Sequence, residues 1–106
     1  MAKRATEAER VISDETRWRM AHMLKAVAHP LRLRIIELLE GGEMCVSELM
    51  GALGTKPAIT SQQLGLMRDR GVLASRRDGN RVYYRVSNPR VLRVIQCIRD
   101  HCDQEN

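Results

Sequence analysis

The chain reads as a mainly α-helical winged helix-turn-helix, about five helices with a two-stranded wing, and three observations predict it. Apolar residues recur at helical spacing through consecutive segments punctuated by proline and glycine. Two of the middle segments are separated only by a tight turn at Gly54-Thr55-Lys56. The period then drops from about 3.6 to about 2 around an Asp-Gly pair before a last helix begins.

Residues 1–12 are polar without periodicity and are expected to form a flexible arm ahead of one domain over 13–106. From about Asp14, Trp18, Ala21, Leu24 and Ala28 recur at steps of three and four, with Met20 and Val27 beside them, and Pro30 ends the run. Pro30 also opens the second helix, where a first-turn proline sacrifices no intrahelical donor. Leu31, Ile35, Leu38 and Leu39 form its apolar stripe, and Gly41-Gly42 stops it. Cys45-Val46-Ser47-Glu48 has the spacing of a capping box with cysteine in the place of Ser or Thr. Leu49, Met50 and Leu53 face inward from the short helix that follows, and Gly54 supplies its stop.

Pro57 begins a fourth helix running to about Arg70. Thr60, Leu64 and Met67 share one face and Ser61, Gln62, Gly65 and Arg68 the other, so the pair of helices can place its second member in a DNA major groove. Residues 72–76 and 81–86 read as strands around Arg77-Asp78-Gly79-Asn80. Val82, Tyr84 and Val86 alternate with Arg81, Tyr83 and Arg85, giving one face to the helices and leaving the other cationic. Asn88-Pro89 then starts a last helix with Val91, Ile95, Ile98 and Cys102 on one stripe.

The chain has 106 residues, a net charge of +5, no Phe, one Trp and two Tyr. At that size one modest core is expected, built from Leu, Ile, Val, Met and Ala, and a large multidomain enzyme is excluded. No apolar run approaches the roughly 18 residues a membrane span needs, and charges occupy the stretch from Met1 to Arg10 where a signal peptide would be greasy. A soluble, cytoplasmic protein without a membrane partner is expected. The charge surplus is local: residues 55–90 hold eight basic and two acidic side chains, and the rest of the chain is close to neutral. Such a segment is the footprint of nucleic-acid binding, because each neutralised phosphate releases condensed counterions. His22, His29 and His101 are scattered, without an acid pair or a Gly-rich phosphate loop, so no enzyme is expected.

Several motifs in order resemble the ArsR family of bacterial repressors: residues 28–39 (AHPLRLRIIELL), Val46-Ser47-Glu48-Leu49, Thr60-Ser61-Gln62-Gln63-Leu64, Arg68-Asp69-Arg70-Gly71-Val72-Leu73 and residues 76–86 (RRDGNRVYYRV). The likeness covers roughly residues 20–102. It implies a homodimer that binds double-stranded operator DNA and releases it when an inducer, often a metal or metalloid ion, is bound. It also implies contact between subunits through the first and last helices, with Trp18, Val91, Ile95 and Ile98 in the seam. Ser61, Gln62 and Gln63 are then expected at base edges, and Lys56, Arg68, Arg76, Arg77 and Arg81 at phosphates. Where the family usually has Ser-Gln-His-Leu, this chain has Ser61-Gln62-Gln63-Leu64, and Gln can still meet adenine through two hydrogen bonds.

An odd number of cysteines, three, argues against a structural disulfide framework. The arsenic-sensing branch of the family carries Cys-Val-Cys at the start of the third helix; here Cys45-Val46-Ser47 keeps one thiol and replaces the other by a hydroxyl. The last-helix zinc site of other members is not expected, because Asn88 and Arg90 hold its early positions and only His101 remains late. Cys45 faces the positive end of a helix dipole, which favours its thiolate. Cys97 and Cys102 lie five residues apart, about 140° around a helix, and converge only if that helix frays near Asp100. Three thiols match the count that a soft ion such as arsenite takes, and a soft divalent ion accepts two or three. Cys45, Cys97 and Cys102 are thus the expected inducer ligands, with no other cofactor. The alternatives are covalent chemistry at Cys45 or Cys102, as in persulfide- and redox-sensing relatives, and cysteines that only pack. For the redox relatives' second thiol, this chain offers Glu37 or nearby apolar residues.

Overall fold

The computed structural model describes Thr6 and residues 10–102. Its elements are α1 (Asp14–Val27), α2 (Pro30–Leu39), β1 (Met44–Cys45), α3 (Val46–Leu53), α4 (Pro57–Asp69), β2 (Leu73–Asp78), β3 (Arg81–Val86) and α5 (Pro89–His101). The expected fold class holds: five helices among the described residues carry a small sheet. Of the expected arm, residues 1–5 and 7–9 lie outside the described residues, as do residues 103–106 at the other end. Just before α1, Arg17 donates to the Ile12 carbonyl at 2.9 Å. No helix among the described residues is long and apolar enough to cross a membrane.

Caps set the helix starts. Ser13 accepts from the Thr16 amide at 3.1 Å, and Asn88 accepts from the Arg90 amide at 3.0 Å. At the junction of α1 and α2, His29 Nδ1 accepts from the Leu31 amide at 3.1 Å, so the histidine before Pro30 is a cap. Replacing His29 with alanine is expected to cost about 0.5 to 2 kcal/mol, the range for a lost N-cap. Asparagine there should recover most of that loss in urea unfolding, and an equal loss for both variants would assign His29 a different role.

The core gathers Ile35, Ile36 and Leu39 of α2, Leu49 of α3, Leu64 and Met67 of α4, Val72, Leu73, Tyr84, and Val91 and Ile95 of α5, with Met23, Ala26 and Val27 of α1 at its edge. Ile36 takes a buried place that the stripe on α2 gave to Leu31 and Leu38, which are half-buried. Arg99 of α5 donates to Glu40 Oε2 at 3.2 Å and ties the end of α5 to the end of α2.

Two expectations are corrected here. The sheet has three strands, in the order β1-β3-β2, all antiparallel. Met44 pairs with Tyr84 and Cys45 with Tyr83, and a strand of two residues is too short to show a period in sequence. The hairpin turn is also two residues shorter than the expected Arg77-Asp78-Gly79-Asn80. β2 continues through Arg77 to Asp78, which pairs with Arg81 and leaves Gly79-Asn80 as the loop. Gly79 has φ of 61° and Asn80 is not among the positive-φ residues, the pattern of a II′ turn that needs glycine in its first central position.

Candidate nucleic-acid interface and thiol positions

The turn between α3 and α4 is locked by side chains. Gly54 ends α3 with φ of 66°, and Thr60 is buried with its hydroxyl 2.6 Å from that of Thr55 and 3.1 Å from the Lys56 carbonyl. The sequence placed Thr60 on the inner face but not in this role. With Thr60, Leu64 and Met67 inward, Ser61, Gln62 and Arg68 are exposed on the far side of α4, as expected. Lys56 precedes the first turn and is exposed with no side-chain partner among the described residues.

Gln63 departs from that face. It is half-buried, and its Oε1 accepts from Arg32 Nε of α2 at 2.7 Å. The expected base-edge position is therefore turned toward α2, because residue 63 sits between the core side and the outer side of the helix.

On the wing, Tyr84 is buried and Val82 and Val86 are half-buried, while Arg81 and Arg85 are exposed, so the predicted alternation is present. Arg77 is exposed, and its side chain has no ion-pair or hydrogen-bond partner among the described residues. The guanidinium of Arg81 is raised above its ordinary value, first by its hydrogen bond to Tyr83 and then by the charges of Tyr83 and Cys45. Arg85, omitted from the expected phosphate set, lies on the same exposed face, and the strand alternation already placed it there.

Arg76, expected at a phosphate, is engaged within the chain. Its Nε lies 3.1 and 3.0 Å from the two carboxylate oxygens of Glu43, Nη2 also meets Glu43, Asp78 is 3.8 Å away, and the guanidinium stacks 4.5 Å over the Tyr83 ring. This clasps the strand to the loop before β1. Glu43 is held below the ordinary carboxylate value, first by the hydrogen bonds from Arg76, and Arg76 is raised in return.

A depressed folded-state value means the clasp stabilises above the unfolded carboxylate's titration range and loses that contribution as pH falls through the folded value. Thermal unfolding of Glu43→Gln is therefore expected to fall below the parent at neutral pH, with the gap closing in acid. A gap that ignores pH would contradict the ion pair.

The capping box is present in its reciprocal half. The Cys45 amide donates to Glu48 Oε1 at 2.9 Å, which is the first cause holding Glu48 below its ordinary value. Cys45 is 1% exposed, and its sulfur lies 3.2 Å from the Ser47 hydroxyl, the group standing where a second thiol would be. Cys97 and Cys102 are exposed. α5 does not fray near Asp100, since Cys102 N–H donates to the Ile98 carbonyl at 2.8 Å, so these two thiols do not converge on one ion. Among the described residues no group of three or more His, Cys, Asp or Glu is placed to hold a metal. The expected set of Cys45, Cys97 and Cys102 does not fit one ion within a single chain.

The expected seam between subunits divides. Trp18 is 68% and Ile98 41% exposed, with Leu24 also exposed on α1. Val91 and Ile95 are only 1% and 6% exposed, buried in the protomer's own core, and this removes them from the set. A small core without Phe recruits the first half of α5 for itself, leaving only the second half outward.

A profile described as "Bacterial regulatory protein, arsR family" matches residues 29–75. A biofilm growth-associated repressor of Agrobacterium fabrum is 35% identical over 98 residues, 92% of this chain and 74% of that protein. The crystal structure of the AntR antimony-specific transcriptional repressor is similar with a TM-score of 0.79 at 30% identity, covering 97% of this chain and 99% of that one. The solution structure of a homodimeric winged helix-turn-helix DNA-binding domain from Mycobacterium bovis has a TM-score of 0.76 at 28% identity, covering 98% and 92%.

Proposed function

Because the chain belongs to the arsR family of bacterial regulatory proteins, and is a transcriptional regulator rather than an enzyme, we propose that it is a homodimeric repressor docking α4 in the major groove of operator DNA. What supports this docking is a set of exposed cations on the helix and the wing, Lys56 before the first turn of α4, Arg68 in its last turn, and Arg77, Arg81 and Arg85 on the wing, together with the exposed Ser61 and Gln62 on the outer face of α4. Such cations meet phosphates and fix register, while the short polar side chains meet base edges. The second subunit supplies the second half-site, with Trp18 and Ile98 at the joint.

For the signal, we propose thiol-directed induction by a soft metal or metalloid ion, the chemistry that the name of the antimony-specific relative carries. Since one chain does not bring its thiols together, such an ion needs a second copy's cysteines or a rearranged corner at Cys45. A second reading, covalent modification by a persulfide or oxidant, is favoured by the exposure of Cys97 and Cys102. Operator release would be titrated with arsenite, antimonite, cadmium, zinc and a persulfide donor on the parent and on Cys45→Ser, Cys97→Ser and Cys102→Ser. Loss of response to ions supports the first reading, and a mass increase at Cys97 or Cys102 at inducing doses supports the second. Three serine variants that respond like the parent would contradict both.

A further inference from the structure

We infer that Arg32 and Gln63 act as one unit that grips the DNA backbone beside the groove, leaving base reading to Ser61 and Gln62. The inference rests on the docking of α4 proposed above.

Arginine only donates, so the Gln63 atom 2.7 Å from Arg32 Nε is the amide oxygen, and the orientation of the amide is fixed by that chemistry. Arg32 Nη1 donates as well, to the Lys25 carbonyl in the last turn of α1 at 3.2 Å, so the guanidinium is held from two sides. Pairing with adenine requires a glutamine to donate and accept side by side. One lone pair of the Gln63 oxygen is taken by Arg32 Nε, and the amide nitrogen has no partner among the described residues.

Helix geometry agrees. At about 100° per residue, Gln63 lies about 65° from the line through Thr60, Leu64 and Met67, on the flank toward α2, whereas Gln62 lies about 165° from it. A flank of the recognition helix faces the sugar-phosphate edge and the far side faces the bases. The free N–H groups on this flank, the Gln63 NH2 and the Arg32 guanidinium hydrogens not given to Gln63 or Lys25, are donors, and phosphate oxygens only accept. Arg32 has no carboxylate partner among the described residues, in contrast to Arg34 with Glu37 and Arg76 with Glu43, so its charge is available to a phosphate.

The test is selection from randomised DNA duplexes by the full-length parent, Gln62→Ala, Gln63→Ala and Arg32→Met, with affinities for the selected sites measured against salt. Gln62→Ala should flatten the preference at one or more positions. Gln63→Ala should keep the parent's motif and weaken all sites alike, by about 2- to 10-fold for one neutral hydrogen bond. Arg32→Met should keep the motif and reduce the slope of log affinity against log salt by about 0.9, and Arg32→Lys should restore the slope. Melting curves confirm that each variant is folded at the assay temperature. Lost preference at a position in Gln63→Ala overturns the inference, and so do unchanged affinity and slope in the Gln63 and Arg32 variants. A parent without salt-dependent binding overturns the docking itself, so the two failures are told apart by which protein shows them.

Discussion

Leu64→Ala is expected to cost about 2 to 5 kcal/mol, the range for a large core side chain cut to alanine. Leu64 is fully buried on the inner face of α4, between buried Thr60 and Met67, in a core shared with Leu49 of α3 and Val72 and Leu73 at the base of the wing. The cavity would open where the helix-turn-helix meets the sheet, and a chain without Phe has little bulk nearby to fill it. Domains of this kind are stable by about 5 to 15 kcal/mol in total, so the loss takes a large share. Urea unfolding should show a much lower midpoint with an unchanged slope, and DNA binding should weaken because α4 loses its seat. A loss below about 1 kcal/mol would place Leu64 outside the core.

The double substitution Trp18→Glu with Ile98→Glu is expected to produce a folded monomer with at least about 100-fold weaker operator binding. Both side chains are large, apolar and exposed in the protomer, one on α1 and one on the second half of α5. An exposed apolar side chain of this size on each of the two helices fits the proposed joint, and in a two-fold interface each new charge appears twice. Separated subunits lose the effective concentration that joins two half-sites, which is commonly a factor of about 100 to 10,000. Sedimentation should report a monomer whose melting remains cooperative. Charges at Val91 or Ile95 should instead unfold the chain, since those residues belong to its own core. A double variant that stays dimeric would remove Trp18 and Ile98 from the joint.

Helices were legible because their signals are local: prolines at the first turns of α2, α4 and α5, Gly54 and Gly71 at helix ends, and apolar residues at steps of three and four. The alternation in β3 was equally local, and it correctly separated Tyr84 from Arg81 and Arg85. What could not be read were contacts across long separations. Arg76 looks like any wing arginine until Glu43, 33 residues earlier, is seen beside it. Gln63 looks like its neighbour Gln62 until Arg32, 31 residues away, takes its oxygen. The stripe of α5 reads as one face, but the protomer uses its first half and leaves its second half outside, a division that depends on where α2 and β3 lie. The thiols were judged by count and spacing, and neither shows that Cys45 is buried while Cys97 and Cys102 are exposed.

The central claim is that α4 and the wing hold duplex DNA through exposed cations, and the salt dependence of binding tests it most directly. Affinity for duplex DNA is measured from low to physiological salt for the parent, Arg77→Ala, Arg81→Ala and Arg76→Ala. The parent should show a steep negative slope of log affinity against log salt, reduced by about 0.9 for Arg77→Ala and for Arg81→Ala, one phosphate contact each. Arg76→Ala should change it much less, since Glu43 already holds that charge. A parent affinity that ignores salt, or slopes unchanged by the loss of Arg77 and Arg81, would contradict the account.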